Sequence, residues 1–361
     1  MASIQGTGGD DVQNGTADRD LIYGGAGDDT QFGGDGNDVL YGGTGDDFLF
    51  GGEGDDQLTG GEGADDMTGG NGNDSYFVDN SDDQVRESTG GGNDTIIWGG
   101  FTDRPEVTNI TLGANVEELR ITGSLNLNGK GNELNNSIRG NSGNNSLSGL
   151  GGNDNVFGFG GDDVISGGAG NDVLDGGDGI DTLTYKILAT NGVTVDLARK
   201  GQQNTGQGLD AVNGFENLEG TEFDDVLSGD AGANKISGLG GNDLIRGRAG
   251  NDDLTGGSGN DTFRFDSAAT NGVDRIRGFT IGSDRLEFHT SDGYAANATL
   301  TFGSEAVGSG PQGIYDINTG QLFYDADGDG AGAAILIAQF DRGLNLTGND
   351  ISVINDGMPT M

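Results

Sequence analysis

Residues 24–50 read GGAGDDTQF, GGDGNDVLY and GGTGDDFLF, three copies of one nine-residue unit with glycine at positions one, two and four. The same unit starts at Gly6 and repeats eight times without a gap up to residue 77. Position six is aspartate in every copy, and position eight is apolar in most copies, with Gln13 and Gln31 as exceptions. Each unit therefore predicts a polar turn followed by a very short strand.

The residue types of this unit suit a hard divalent cation. Glycines at positions one, two and four permit positive φ angles and remove Cβ bulk, so the backbone can turn its carbonyl oxygens inward. A carboxylate at position six then completes a set of oxygen ligands, which Ca²⁺ prefers and which zinc and copper do not. The pattern therefore predicts multiple bound calcium ions.

The fold class follows from the single apolar side chain of each unit. One unit cannot bury that side chain, so two units must face each other across a flattened coil, and coils must stack to make a continuous core. The prediction is an all-β protein, a parallel β-roll solenoid.

These repeats resemble the GGxGxDxUx repeats of the RTX (repeats-in-toxin, haemolysin-type) calcium-binding proteins. The resemblance implies that calcium lies between turns stacked on one edge of the roll, held by turn carbonyls and position-six aspartates. It extends to the C-terminal part of serralysin-type proteases and to the R-modules of alginate epimerases, and it implies a C-terminal signal for type I secretion.

Changes in composition divide the chain into arrays and spacers. The spacers alternate apolar and polar residues, which predicts further strands of the same solenoid, and the first contains a unit-like stretch around Asp94. The predicted segments are a first array of eight units (1–77), a β spacer (78–130), a second array of six units (131–184), a β spacer (185–219), a third array of five units (220–264) and an antiparallel β cap with the secretion signal (265–361).

The predicted calcium ligands are the position-six aspartates of the three arrays. Asn136, Asn145 and Asn234 replace aspartate in three units. An amide oxygen can still bind calcium but brings no charge, so the entry of the second array, at Asn136 and Asn145, should bind calcium weakly or not at all. If each site needs two turns on one edge, the arrays offer roughly 13 sites. The aspartates are Asp11, Asp20, Asp29, Asp38, Asp47, Asp56, Asp65, Asp74, Asp154, Asp163, Asp172, Asp181, Asp225, Asp243, Asp252 and Asp261.

Charge makes the metal a requirement for folding. The chain of 361 residues contains 76 glycines, only 32% hydrophobic residues and a net charge of −42. Without cations the carboxylates repel one another, and the apolar surface is too small to offset the chain entropy, so the metal-free chain should be largely unfolded. Such a negative charge also disfavours nucleic acid and anionic lipid as partners.

Several common sequence features are absent. There is no cysteine, so disulfides and thiolate metal sites are excluded. The opening residues MASIQGTGGDD lack the basic and apolar regions of a cleaved secretory signal, and no apolar run reaches the ~20 residues that span a bilayer. The expected location is extracellular, reached through a type I apparatus.

Two further motifs are candidate sites. Asp325, Asp327, Asp329 and Gly330 form the opening of an EF-hand loop, but its twelfth position is Leu336, so the loop is either an extra calcium site or an aspartate-rich turn. His289 is the only histidine, so neither an HExxH site nor a Ser-His-Asp triad can form within the chain.

Two surface features leave alternatives open. Tyr23 with Tyr41, and Phe32 with Phe50, should point outward and stack, which suits either local packing or a partner surface. Arginines also recur, at positions 246 and 264. They either balance the charge of this chain or bind an acidic polysaccharide or cell-surface partner.

The sequence thus predicts a secreted, non-enzymatic calcium-binding protein that folds after export and acts as a structural or ligand-binding module. The alternative is a non-catalytic repeat region of, or accessory to, an RTX enzyme such as a metalloprotease, lipase or alginate epimerase. A pore-forming toxin would need an apolar helical domain, which the sequence lacks.

Overall fold

The computed structural model describes residues 2–99, 108–187, 189–268, 270–330 and 332–356. It contains two compact units, Met1–Asp181 and Thr182–Met361. Both units consist of short strands joined by tight turns, and the helical structure described is limited to two single-turn 3₁₀ segments, Thr290–Asp292 and Gly348–Asp350. None of the described helices is long and apolar enough to cross a membrane.

The strands of the first unit follow one another at the period of the repeat. In chain order they are β1 Ser3–Gln5, β2 Val12–Asn14, β3 Leu21–Ala26, β4 Thr30–Asp35, β5 Val39–Thr44, β6 Phe48–Glu53, β7 Gln57–Glu62, β8 Asp66–Asn71, β9 Ser75–Val78, β10 Gln84–Arg86, β11 Thr95–Trp98, β12 Asn109–Thr111, β13 Glu118–Ile121, β14 Asn128–Lys130, β15 Ser137–Arg139, β16 Ser146–Gly151, β17 Asn155–Gly160, β18 Val164–Ala169 and β19 Val173–Asp178.

Alternate strands of this unit pair in parallel on opposite faces of the roll. The odd strands form one sheet in the order β1-β3-β5-β7-β9-β11-β13-β15-β17-β19, and the even strands form the sheets β2-β4-β6-β8-β10 and β12-β14-β16-β18. Leu21 pairs with Val39, and Phe48 pairs with Asp66. Each of these partners is two units further along the chain, which confirms the predicted coil of two facing units.

Position eight supplies the core, as predicted. Ile22, Leu40, Leu49, Leu58 and Met67 are completely buried between the two faces. The residues on either side of position eight point the other way because side chains alternate along a strand.

The two glutamines at position eight are also buried, and each satisfies its amide locally. The Nε2 group of Gln13 donates to the carbonyl oxygen of Tyr23 (2.8 Å), and that of Gln31 donates to the carbonyl oxygen of Tyr41 (2.7 Å). A core position can therefore hold an amide here because a strand carbonyl lies within its reach.

The outward positions carry the predicted aromatic pairs. Tyr23 and Tyr41 are 37% and 38% exposed, and their ring centroids lie 5.0 Å apart at an interplanar angle of 7°. Phe32 and Phe50 repeat this geometry at 5.0 Å and 9°. Each ring therefore turns one face toward its partner, which confirms the outward stacking.

The second compact unit, Thr182–Met361, begins with the last strand of the second array. Its strands are β20 Thr182–Thr184, β21 Thr194–Asp196, β22 Gln202–Asn204, β23 Leu209–Asn213, β24 Asn217–Glu219, β25 Val226–Ser228, β26 Lys235–Gly240, β27 Leu244–Arg246, β28 Asp253–Ser258, β29 Thr262–Phe265, β30 Asp274–Arg277, β31 Arg285–His289, β32 Thr299–Phe302, β33 Gln312–Asp316, β34 Gln321–Asp325, β35 Ile335–Gln339 and β36 Ile351–Ile354.

Parallel pairing in this unit continues beyond the repeats. One sheet has the order β20-β24-β26-β28-β30-β35-β34-β33-β32, and the other has the order β21-β25-β27-β29-β31-β36. The pairs β22–β23, β33–β34 and β34–β35 are antiparallel, whereas β35 and β36 join the roll strands in parallel. The C-terminal strands are thus partly antiparallel, as expected, but parallel where they meet the roll.

Truncation of one buried side chain in the apolar core tests this arrangement. We expect Leu49→Ala to destabilise the calcium-loaded protein by roughly 2–5 kcal/mol, because Leu49 is fully buried and its loss leaves a cavity. Urea unfolding measures the change. The control is Val12→Ala, at an outward position that is 70% exposed, which should change the stability by less than about 0.5 kcal/mol. Equal effects would contradict the assigned strand register.

Candidate calcium sites

The position-six aspartates line both edges of each roll. Of the sixteen predicted ligands, Asp11 is partly exposed and the others are at most 2% exposed. Each lies at the end of a turn, just before the strand whose position-eight residue enters the core. Burying so many carboxyl groups requires compensation at both oxygens of each one.

One oxygen of each carboxylate ties successive coils together. The backbone N–H of Asp29 donates to Oδ1 of Asp47 (2.8 Å), and the N–H of Asp47 donates to Oδ1 of Asp65 (2.8 Å). The later arrays repeat this bond, for example from Asp154 to Asp172 (2.9 Å) and from Asp163 to Asp181 (2.7 Å). Position six therefore has a structural role that is separate from any metal.

The second oxygen has no protein partner in many of these turns. Within the described ranges, a buried Oδ2 atom without a hydrogen-bond donor occurs in Asp29, Asp38, Asp47, Asp56, Asp65, Asp74, Asp94, Asp154, Asp163, Asp243, Asp252 and Asp261. A buried carboxylate oxygen without a donor is costly unless a cation lies against it. These twelve atoms make the turns candidate metal sites.

A backbone carbonyl of the next coil lies close to this oxygen in at least seven of the turns, those of Asp29, Asp38, Asp47, Asp56, Asp154, Asp163 and Asp243. A Cβ atom built on Gly42 would lie 2.3 Å from Oδ2 of Asp47 and 2.6 Å from the carbonyl oxygen of Gly60. Position one must therefore be glycine, because a side chain would occupy the space where carboxylate and carbonyl converge. The donor set, carboxylate plus carbonyl oxygen, fits Ca²⁺.

Backbone conformation corrects one part of the sequence prediction. Gly43 and Gly45, at positions two and four, have φ angles of 123° and 127°, as predicted. Gly42, at position one, does not have a positive φ, so the prediction was wrong for this position. Position one requires glycine because of close approach, and positions two and four require it because of backbone conformation as well.

Burial shifts the protonation of these carboxyl groups. It raises the pKa of Asp56 and of Asp65 to about 7, and the pKa of Asp47 and of Asp163 to about 6. Neighbouring carboxylates act in the same direction. In the absence of a cation, burial therefore favours the protonated form of these carboxyl groups.

Three predicted ligands differ from the others because a threonine already donates hydrogen bonds to their carboxylate oxygens. The Oδ2 atom of Asp11 accepts hydrogen bonds from Thr7, and that of Asp20 accepts from Thr16. Asp225 accepts the N–H of Thr221 in the same way. The asparagines at positions 136, 145 and 234 also accept the N–H of the residue four positions earlier.

The ladder of carboxylates extends beyond the repeats that the sequence reveals. The N–H of Asp65 donates to Oδ1 of Asp83 (3.1 Å), which is nine residues beyond Asp74 but lies in the glycine-free stretch VDNSDD. The N–H of Asp94 donates to Glu117 (2.9 Å). Continuing the count of nine would have found Asp83, but insertions hide Glu117, as they hide Asp274 and Asp284 after the third array.

One carboxylate cluster lies at the end of the first array. Asp74, Glu87 and Asp94 each offer an oxygen atom within 4.8 Å of the others. The hydroxyl of Tyr76 donates to Glu87 and accepts the N–H of Gly69 (2.6 Å). Glu87 thus brings a second carboxylate to the turn of Asp74.

The EF-hand-like loop forms a turn stabilised by its own backbone. The Oδ1 atom of Asp325 accepts the N–H groups of Asp327 (3.1 Å) and Gly328 (2.9 Å), and Oδ2 of Asp327 accepts the N–H of Gly332 (3.0 Å). These bonds are typical of an aspartate-rich turn. An extra calcium ion there stays a prediction.

His289 holds the C-terminal residues against β31. Its Nε2 atom lies 2.5 Å from Oε1 of Glu287, and its Nδ1 atom lies 2.8 Å from Oδ2 of Asp356. Burial opposes the charged ring, but hydrogen bonds to both carboxylates outweigh it and raise the pKa of His289. With both nitrogens engaged, the residue is a structural ion-pair partner.

The arginines pair with acidic residues of the same chain. Arg246 lies 2.6 Å from Asp266, and Arg264 lies 3.1 Å from Asp292. The strands β27 and β29 that carry them are neighbours, as predicted. This pairing agrees with charge balancing, and binding of an acidic polysaccharide stays an untested prediction.

The architecture and the turns together define a class of protein. In both compact units of the chain, the nine-residue repeats form a parallel β-roll with rows of buried carboxylates at its edges. This is the architecture of a cation-dependent solenoid. The family model described as the RTX calcium-binding nonapeptide repeat (four copies) matches residues 5–40, 41–76, 130–158, 160–183, 210–245 and 229–263. The matched segments cover about half of the chain and follow the three arrays. The chain belongs to the RTX family of calcium-binding repeat proteins.

Comparison with other proteins adds little beyond this family. Among solved structures, a chain of the extracellular lipase LipA from Serratia marcescens matches with 19% identity over 72% of this chain and 44% of that chain, with a TM-score of 0.17. This chain therefore spans less than half of the lipase, and so low a TM-score supports no argument about activity. No curated protein sequence matches significantly.

Substitution at position one tests the close approach at the turn. We expect Gly51→Ala to raise the calcium concentration needed for folding, because its Cβ would lie 2.3 Å from Oδ2 of Asp56 and 2.7 Å from the carbonyl oxygen of Gly69. The matched control is Gly8→Ala, where no atom lies within 4 Å of the added Cβ. Calcium titration followed by circular dichroism compares the two. An unchanged midpoint for Gly51→Ala would contradict the proposed convergence of oxygens.

Acidification should favour the metal-free roll. The folded pKa of Asp56 and Asp65 is about 7, well above the ordinary value, so between about pH 4 and 7 the folded state binds more protons than the unfolded state. Its stability therefore falls as pH rises through this window. In excess chelator, circular dichroism should show more β structure at pH 5 than at pH 8. Recovery of the same β signal at pH 8 in 1 M salt would assign the effect to general charge repulsion instead.

Proposed function

We propose that this chain is a secreted RTX protein that folds by binding calcium outside the cell and then acts as a non-catalytic structural or ligand-binding module. The position-six aspartates hold the ions, in the turns where Oδ2 has no protein donor. The observation that carries the proposal is the row of twelve buried Oδ2 atoms without a protein donor, at least seven of which have a carbonyl of the next coil close by.

Calcium supplies the charge compensation that the protein lacks. The net charge is −42, and buried carboxylates at adjacent turns of one edge repel each other when ionised. A divalent ion between such turns removes the repulsion and satisfies the orphan oxygens together. Folding and calcium binding are then a single event, and the chain stays unfolded where calcium is scarce.

Coupled folding and calcium binding would make export of the chain one-directional. Extracellular calcium-binding modules have affinities of about 10⁻⁴ to 10⁻³ M, above the calcium level of the cytosol. An unfolded chain suits passage through a type I apparatus, and folding outside would prevent its return. The C-terminal residues are the proposed export signal, as the family resemblance implies.

The role proposed after folding is not enzymatic. The matched family model describes repeats, and the chain's only histidine is engaged by Glu287 and Asp356. No described feature favours the alternative, a repeat region that serves an RTX enzyme. The roll itself presents long, regular faces with the aromatic pairs of the first array on them.

Two variants that each lose one negative charge, one inside a turn and one beside it, test the proposal. In chelator the wild-type chain should give the circular dichroism spectrum of coil at pH 8, and millimolar calcium should produce β structure. Asp47→Asn keeps an oxygen for the N–H of Asp29 but replaces the orphan Oδ2 atom by an amide, so the calcium midpoint should rise severalfold. Direct counting of bound ions by native mass spectrometry should show fewer ions than in the wild type.

The control removes the same charge without touching the site. Asp46 is the exposed neighbour of Asp47, and Asp46→Asn should leave the calcium midpoint nearly unchanged. If both variants shift the midpoint equally, net charge rather than a defined site governs folding. If the wild-type spectrum is the same in calcium and in chelator, the proposal fails altogether.

A further inference from the structure

Two kinds of turn occur in this chain, and the residue at position two distinguishes them. In each turn whose Oδ2 atom lacks a donor, the residue four positions before the aspartate has a left-handed backbone, for example Gly43 (φ 123°) before Asp47. The conformation persists where this residue is not glycine: the left-handed residues at position two include Leu150 (83°), Phe159 (73°), Leu239 (76°) and Arg248 (75°). Since such residues avoid this region, the turn itself imposes the conformation.

In the second kind of turn, position two caps position six. The N–H of Thr16 donates to Oδ2 of Asp20 (2.6 Å), and its hydroxyl donates to the same atom (2.8 Å). Thr7 makes the same two bonds to Asp11 (2.6 and 2.8 Å). Neither threonine has a positive φ angle. We refer to these as self-capped turns and to the first kind as open turns.

The remaining self-capped turns of the arrays use the same N–H bond. Thr221 donates to Asp225 (2.7 Å), and the other three donate to the side-chain oxygen of an asparagine. They are Asn132 to Asn136 (2.8 Å), Asn141 to Asn145 (2.9 Å) and Asp230 to Asn234 (2.8 Å). None of these four donors has a positive φ angle.

The position of these turns along the chain is not random. They are the units that begin at residues 6 and 15, 131 and 140, and 220 and 229, which are the first two units of each array. Two successive units form one coil, with one turn on each edge of the roll. Each array therefore opens with one coil in which both turns are self-capped.

Capping and calcium binding compete for the same oxygen. Two hydrogen bonds occupy the acceptor directions of Oδ2 in Asp20, and an asparagine at position six brings no charge to attract a cation. In an open turn the left-handed residue directs its N–H elsewhere, and the oxygen is left for an ion. We propose that position two selects whether a turn takes calcium, so that the first coil of every array is calcium-free; this rests on the proposed function of the open turns.

The selection has a consequence for assembly of the roll. A self-capped coil satisfies its buried position-six groups without an ion, yet it still joins the ladder, because the N–H of Asp20 donates to Oδ1 of Asp38 (2.7 Å). It therefore presents a formed edge to the first open coil. Each array begins on a coil whose stability does not require calcium, and Asp11, Asp20 and Asp225 are caps rather than calcium ligands.

Exchange of position-two residues tests this selection in the full-length, calcium-loaded chain. Thr16→Gly removes the hydroxyl bond to Asp20 and permits the left-handed backbone of an open turn, so it should add about one bound calcium ion per chain. Thr16→Ser keeps the hydroxyl and should leave the count unchanged. Leu150→Thr should close an open turn and remove about one ion, whereas Leu150→Gly keeps the turn open and should not. Native mass spectrometry resolves these single-ion differences, and circular dichroism confirms that each variant is folded.

The outcomes separate this inference from the proposed function. Equal ion counts in wild type and Thr16→Gly, together with equal counts in Leu150→Thr and Leu150→Gly, would overturn the selection rule even if the wild type binds many ions. A wild-type chain that binds no calcium would instead overturn the proposed function. If Leu150→Thr does not fold, Phe159→Thr repeats the test in the next unit, and the Thr16 pair gives an independent result.

Discussion

The stacking of the coils depends on the position-six carboxyl group of each turn, whose two oxygens have separate roles. Oδ1 of the position-six aspartate accepts a backbone N–H from the preceding coil, as in the bond from Asp29 to Asp47, and this bond fixes the register of the stack. The same bond draws the carboxyl group out of water, so its second oxygen needs either a donor or a cation. The structural bond thus creates the need for the ion.

The glycine pattern follows from this geometry. Position one must be glycine because the carboxylate and the carbonyl of the next coil converge beside its Cα, as the 2.3 Å and 2.6 Å approaches at Gly42 show. Position two has a left-handed backbone only in open turns, and there glycine costs least. Where the turn is self-capped, a threonine, asparagine or aspartate replaces it. Glycine content therefore follows the open turns rather than flexibility of the chain.

Much of this was readable from the sequence because the period is strict. The period placed Leu40 and Leu49 in the core, Tyr23 and Tyr41 outside it, and the aspartates at buried turns. It could not reveal Glu117, which reaches the ladder only because inserted residues bring it beside Asp94. The spacing of the aspartates alone could not separate Asp20 from Asp47. Their units differ in sequence at position two, which is Thr16 before Asp20 and Gly43 before Asp47, but the effect of this difference appears only in the hydrogen bonds that Thr16 donates to Asp20.

In the second compact unit, arginine side chains balance the negative charge of some carboxylates without a metal ion. Arg248 forms two bonds to Asp196 (2.5 and 2.7 Å), and Arg277 pairs with Asp253 and lowers its pKa. Such pairs lie near the third array and the C-terminal strands, where position-six carboxylates are fewer than in the first array. Neither Asp196 nor Asp253 is a position-six residue, so these ion pairs reduce the negative charge around the third array without occupying its turns. The proposed calcium sites are most numerous in the first array, where glycine pairs follow one another without interruption.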